Sequence, residues 1–307
     1  MIPLKRIGWT PRRAEAALLL VALIWGSGFI ATEYALRAGF PTPLIMTARF
    51  WIAALVMLPF YWRKLRTAPR RAVLVGAGAG VLLCGAFFAQ TYGQSGTSVS
   101  NSAFLTATNV VMVPFLMRLF ARTRLPLKMY VLAAGTLAGI GVLTLRLDGG
   151  LAIARSDWIV LLCAFLFALH IVYLGTAARG LDAGLLTLLQ MLVSALLSTV
   201  VLLCVGADAP RAAYGLPGLL SVLYLAVFST CLCFFLQTAA QQWMSAAKAA
   251  ILLSTEGLCG SAFSIVLGLE PCTWNKVAGG LMIVACVVLT EVDFSRPYRA
   301  RKRRGAS

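Results

Sequence analysis

Ten runs of about 20 mostly apolar residues follow one another along this chain, separated only by short links. A helix needs about 20 apolar residues to cross the hydrocarbon core of a bilayer. Runs of that length in series leave few other folds open. The predicted spans are 14–34, 43–62, 72–92, 101–119, 126–146, 157–178, 183–205, 216–240, 246–268 and 273–292. The links carry turn residues, as in Gly39-Phe40-Pro41 and Asp148-Gly149-Gly150. Backbone groups in lipid must be satisfied within the chain, so these spans read as helices. The short alternating segments of a transmembrane β-barrel are absent from the pattern. Composition agrees: 60% of the residues are hydrophobic and 12% charged, against about 25% charged in a soluble domain. The expected class is all-α, a polytopic membrane protein of ten transmembrane helices.

The net charge of +17 raises nucleic acid as a partner. Its distribution argues against one, because the basic residues sit in short loops and at the two tails rather than on a continuous face. Beside hydrophobic spans they read as orientation signals and as attraction to anionic lipid. With the N-terminus placed in the cytoplasm, 20 Lys and Arg residues fall on inside segments and 5 on outside ones. The inside set includes Arg63, Lys64, Arg118, Arg122, Arg124 and the tail from Arg296 to Arg304. The outside set is Arg37, Arg146, Arg155, Arg211 and Lys276. That bias predicts a cell (inner or plasma) membrane protein with basic cytoplasmic tails at 1–13 and 293–307. Lys5 and Arg6 before an apolar run look like a signal peptide's charged region. The run to Tyr34 is long enough to span and lacks a small-residue cleavage site, so it is expected to be a retained first helix.

The two halves, 14–146 and 157–292, resemble each other. Leu36-Arg37-Ala38-Gly39 echoes Ala178-Arg179-Gly180, and the segment from Ser100 aligns with that from Ala246 at an offset of about 146 residues. Five spans per half is an odd number, so the second half must be inverted. Arg122 and Arg124 after span four against Glu270 after span nine fit that inversion. An inverted repeat places a site near the midplane, where the halves meet.

The motif Leu23-Ile24-Trp25-Gly26-Ser27-Gly28-Phe29, the span-two Arg49-Phe50, and the closing stretch with Thr255-Glu256-Gly257, Leu269-Glu270 and Ala278-Gly279-Gly280 resemble the EamA-type family of the drug/metabolite transporter superfamily. The resemblance covers residues 14–292. Glu256-Gly257 stands where the family often has Glu-Pro, and Arg122-Thr123-Arg124 replaces its usual acidic residue after span four. The resemblance implies a secondary transporter, most often an exporter of amino acids, other metabolites or drugs. It also implies a cavity lined by spans one, three, four, six, eight and nine, with Trp25, Phe29, Tyr92, Tyr173, Phe234 and Phe235 as candidate aromatic wall.

Ionisable groups inside hydrocarbon cost several kcal/mol, about 2.5–3.5 on insertion scales, so the few present are informative. Glu256, near the middle of span nine, reads as a cavity carboxylate for a cationic substrate group or a coupling proton; the alternative is a structural hydrogen bond between helices. His170, the sole histidine, suits a proton relay or a substrate contact, or simple packing. Arg49 reads as a structural intramembrane charge, Lys248 as a side chain snorkelling to the interface, and Glu33 as facing water. Among neutral groups, Tyr92, Asn109, Gln237, Gln90, Thr106 and Thr108 are candidates for binding or for interhelical hydrogen bonds. Gly76 with Gly80, and Gly135 with Gly139, fit close helix packing.

No HExxH, GxSxG or phosphate-cradling GxxxxGK[ST] occurs in the sequence, and its eight cysteines form no metal-ligand pattern. The expectation is no enzyme, no cofactor, no metal and no disulfide framework. The expected partners are a small-molecule substrate and the lipid bilayer, with the chain a monomer or homodimer. The competing readings are a channel or lipid-translocating protein, and an intramembrane enzyme.

Overall fold

Side-chain caps and prolines set where the helices begin. Thr10 accepts a hydrogen bond from the Arg13 amide at 3.3 Å and Pro11 follows it, opening α1 (Pro11–Arg37). Pro41 and Pro69 stand before α2 (Thr42–Arg66) and α3 (Arg70–Gln94). A proline's missing amide proton is no loss at a helix start. The Asp182 carboxylate accepts from the Leu185 amide at 2.9 Å to open α8 (Ala183–Val205). Arg63, Lys64 and Arg66 crowd the last turn of α2, where the helix dipole favours cations.

The computed structural model describes residues 9–120, 122, 125–144, 154–206, 214–268 and 271–291. Every regular element among them is helical. The remaining elements are α4 (Val99–Ala107), α5 (Asn109–Phe120), α6 (Leu127–Thr144), α7 (Arg155–Ala177), α9 (Leu216–Tyr224), a π-helical stretch (Leu225–Leu232), α10 (Cys233–Ala240), α11 (Ala246–Leu253), α12 (Thr255–Val266) and α13 (Trp274–Glu291). They make the ten expected passes. Eight are long and apolar enough to cross a bilayer by length and composition. The other two, α6 and α13, are 18 residues each. Arg124, Arg146, Arg211, Glu270 and most of the two basic tails lie outside the described residues.

Three passes are not the unbroken helices that the hydrophobic runs predict. The fourth breaks at Thr108 between α4 and α5, and the ninth at Ser254 between α11 and α12. Each break is closed by its own hydroxyl: Thr108 donates to the Leu105 carbonyl at 2.6 Å and Ser254 to that of Ile251 at 2.8 Å. Such back-bonding competes with the helical ladder and bends the chain. The two breaks lie 146 residues apart, the offset between the halves read from the sequence. The eighth pass carries the π stretch; its counterpart, α3, is regular.

The packing repeats the same relation. α2 pairs with its counterpart α8, and α6 with α13. α3 packs on α7 as α9, the π stretch and α10 pack on α1; α1 meets α12 as α7 meets α4 and α5. This exchange of partners is that of two inverted five-helix repeats. The turns repeat too, since Gly39 (φ 86°) and Gly180 (φ 77°) both take the left-handed conformation that glycine adopts without penalty. Small residues allow the closest crossings. A Cβ on Gly76 would lie 2.5 Å from the Leu189 Cβ, and one on Gly139 would lie 3.0 Å from the Gly279 carbonyl oxygen. Both glycine pairs are therefore packing features.

The face carrying the N-terminus is closed by large apolar clusters that join the halves. One ties Ala14 and Leu18 to Ala247 and Ile251; another ties Ala72 and Val75 to Leu174 and Leu185. At the opposite face, beside α1, a smaller layer of Phe29, Ile30, Val99 and Ala103 packs against Phe263.

Candidate functional site

Where the halves meet at mid-depth lies a narrow cavity, with about 30 Å³ open to the centre of a water molecule. Its lining comes from seven passes: Trp25, Gly28, Phe29 and Thr32 on α1, Arg49 on α2, Phe87 and Gln90 on α3, Asn109 on α5, Phe167 and Ile171 on α7, Leu225, Ser229 and Gln237 on the eighth pass, and Leu253 and Glu256 on the ninth. The six passes implied by the resemblance are all present, and Arg49 adds the second.

Glu256 is 4% exposed and sits in the first turn of α12. The break at Ser254 creates that helix start at mid-membrane, and a helix N-terminus favours a carboxylate. Asn109 is the first residue of α5, the equivalent helix start in the other half. Among the described residues its side-chain oxygen is buried without a partner, as is that of Gln237 across the cavity. Buried acceptors that lack a donor are costly.

Arg49, 1% exposed, is held in place on every side. Its Nε donates to the Thr230 hydroxyl and its Nη2 to that of Ser229 at 3.1 Å, while its guanidinium lies 3.8 Å from the centre of the Phe87 ring. Trp25 Nε1 donates to the Ser229 carbonyl at 2.8 Å. All of these hydroxyl and carbonyl partners lie on the π stretch. The wide π turn is thus the surface on which the first half's Arg49 and Trp25 grip the second half. Arg49, read from the sequence as a structural charge, lines the cavity as well. Arg49 and Glu256 share the cavity, yet the ion pairs of the described residues lie elsewhere, towards the helix ends.

Trp25, Gln90, Asn109, Gln237 and Glu256 therefore come together, whereas His170, Tyr92, Thr106 and Thr108 are not in the lining. His170 is fully buried behind the wall, its Nε2 2.8 Å from the Gln190 side-chain oxygen and its ring edge-on to Phe234 at 5.7 Å. Tyr92 is 42% exposed and stacks loosely on Phe88, away from the cavity. The aromatic wall is Trp25, Phe29, Phe87 and Phe167. Phe234 stands behind Trp25 at 5.2 Å, and Tyr173 packs against Gly78 of α3. Nothing in the sequence separates Phe87 from Phe88; only the rotation of α3 does. Lys248 does not snorkel freely, because its Nζ meets Glu15 at 2.6 Å. Glu33 is ion-paired with Arg37 at 2.7 Å rather than simply facing water.

A model of the EamA-like transporter family matches the chain twice, over residues 12–145 and 154–292. The chain belongs to that family. The two matches cover one repeat each, and this EamA-like transporter is a multi-pass membrane protein. It is 27% identical over 288 residues to an "Uncharacterized transporter" of Archaeoglobus fulgidus, covering 91% of this chain and 86% of the relative. A solved crystal structure shares its fold with a TM-score of 0.74 at 17% identity, covering 91% of this chain and 96% of the other.

Proposed function

We propose that this EamA-like transporter is a secondary transporter that exports small polar or amphipathic metabolites, such as amino acids or related compounds, by alternating access. The observation that carries the reading is the cavity between inverted halves, with one carboxylate, one guanidinium, unpaired amide oxygens and an aromatic wall. Glu256, Asn109 and Gln237 take the donor-bearing, cationic end of the cargo. Arg49 takes an anionic end where one is present. Trp25, Phe29, Phe87 and Phe167 take its apolar body. The cycle forms no covalent intermediate and uses no cofactor, and the energy comes from an ion or solute gradient. The face carrying the N-terminus is cytoplasmic, on the 20 to 5 distribution of basic residues.

The test is flux. The protein is reconstituted in liposomes loaded with a labelled mixture of amino acids and amines, and efflux is compared with that from liposomes lacking it. Efflux that saturates with cargo concentration supports the reading. No efflux of any amino acid, amine or related metabolite removes it. A conductance without saturation turns the assignment to a channel.

A further inference from the structure

Two ion pairs at the N-terminal face tie one half to the other. Glu15, near the start of α1, meets Lys248 in the first turn of α11 at 2.6 Å. Lys64, in the last turn of α2, meets Asp182, the cap of α8, at 2.6 Å. The inverted repeat supplies each with a counterpart at the opposite face. The start of α7 corresponds to that of α1, and there the Asp157 carboxylate accepts from the Thr97 hydroxyl, just before α4, at 2.8 Å. The cap of α2 corresponds to that of α8, and beside it Phe40 stacks on Tyr214 with ring centres 3.9 Å apart. Among the described residues, corresponding helix ends thus hold charge against charge on one face, and a carboxylate against a hydroxyl and ring against ring on the other.

Resting on the alternating-access reading, we propose that these contacts at corresponding helix ends are the two gates of the cycle. The ionic gate, Glu15–Lys248 with Lys64–Asp182, holds the N-terminal face shut. The neutral gate, Thr97–Asp157 with Phe40–Tyr214, yields first, so the empty protein opens towards the opposite face. Apolar clusters back both gates, the one behind the neutral gate joining Phe40 to Ala35, Ile45 and Met46. Between the central cavity and an outer cleft lined by Glu33, Arg37 and Ser264 lies the layer of Phe29, Ile30, Val99 and Ala103. Because the halves are inverted, a rocking motion that parts one gate presses the other together. The ionic gate is therefore the contact that must break before cargo enters from the N-terminal side.

The experiment reads access to the cavity without any knowledge of the cargo. Cysteines are placed at Ile171 and Thr32, both in the cavity lining, in the full chain. A membrane-impermeant maleimide is added to vesicles of either orientation, and each site is scored by peptide mass so that native cysteines serve as references. Removing a surface ion pair, even a half-buried one like Glu15–Lys248, shifts such an equilibrium by about two- to fivefold. Lys248→Met and Lys248→Glu are expected to raise labelling of the Ile171 cysteine from the N-terminal face by about that factor. The exchanged pair Glu15→Lys with Lys248→Glu is expected to return it to the parent level. Thr97→Val is expected to raise labelling of the Thr32 cysteine from the opposite face alone. If Lys248→Glu does not fold, the Lys248→Met arm carries the test. Unchanged labelling, labelling raised equally from both faces, or an exchanged pair that fails to restore the parent level overturns the gates. Altered sidedness with no flux of any solute leaves the gates standing and removes the cargo reading. Saturable flux with unaltered sidedness does the reverse.

Discussion

At the scale of single residues, burial and bonding separate three intramembrane polar groups that look alike in the sequence. Glu256 lines the cavity at a helix start. Replacing it by Gln keeps the shape and removes the charge, so flux is expected to fall by about tenfold or more, the weight of one charge-assisted hydrogen bond. Saturable efflux from liposomes checks this, with detergent melting to show that the fold is kept. Arg49→Lys loses the planar fork that serves Ser229, Thr230 and the Phe87 ring together. It is expected to cost about 1–3 kcal/mol of stability as well as flux, because buried hydroxyls lose their donor. Lower melting temperature together with lower efflux is the expected signature. His170 lies behind the wall with Gln190. Its change to Ala is expected to lower the melting temperature and leave the pH profile of efflux unaltered; an altered profile would bring it back into the transport path.

At the scale of elements, hydropathy gives the ten passes but not their interior. The breaks at Thr108 and Ser254, and the π stretch, leave no mark in an apolar run, because hydropathy counts side chains and not backbone bonds. Yet these interruptions place Asn109, Glu256 and Ser229 in the cavity. Glu256 was legible because a carboxylate in hydrocarbon stands out, and Trp25 because it sits in a family motif. Phe87 and Phe167 were not legible, since an aromatic residue in an apolar helix reads the same whether it faces cargo or lipid. Tyr92 was misplaced because a polar residue near a helix end has water as a second destination. The glycine pairs were legible, as spacing alone marks a close crossing. Gly76→Val would set a branched side chain on the Leu189 Cβ. It is expected to cost about 1–3 kcal/mol through overpacking of α3 on α8, seen as a lower melting temperature in detergent.

At the scale of the whole molecule, charge and symmetry act on different questions. The 20 to 5 bias of basic residues bears on which way the protein lies. Epitopes attached to both ends are expected to be reached by antibody only after cells are permeabilised; labelling of intact cells would reverse the orientation. Symmetry bears on where the site is, and it became visible in the structure through partner exchange among the helices. An offset of about 146 with little identity is weak as a sequence match. The same offset between two helix breaks is a physical correspondence, because both are bent by a hydroxyl bonding back to a carbonyl three residues earlier.

The π stretch from Leu225 to Leu232 also has a meaning in terms of insertion and deletion. A π turn holds one more residue than the α turn it interrupts. Deleting one residue there would let the ladder close as a plain α-helix. The helix beyond it, Gln237 included, would keep its facing, because the extra residue is what the wide turn absorbs. A single-codon deletion there is therefore expected to spare the rest of the pass and to cost the docking of Trp25 and Arg49 on Ser229 and Thr230, read as a lower melting temperature in detergent.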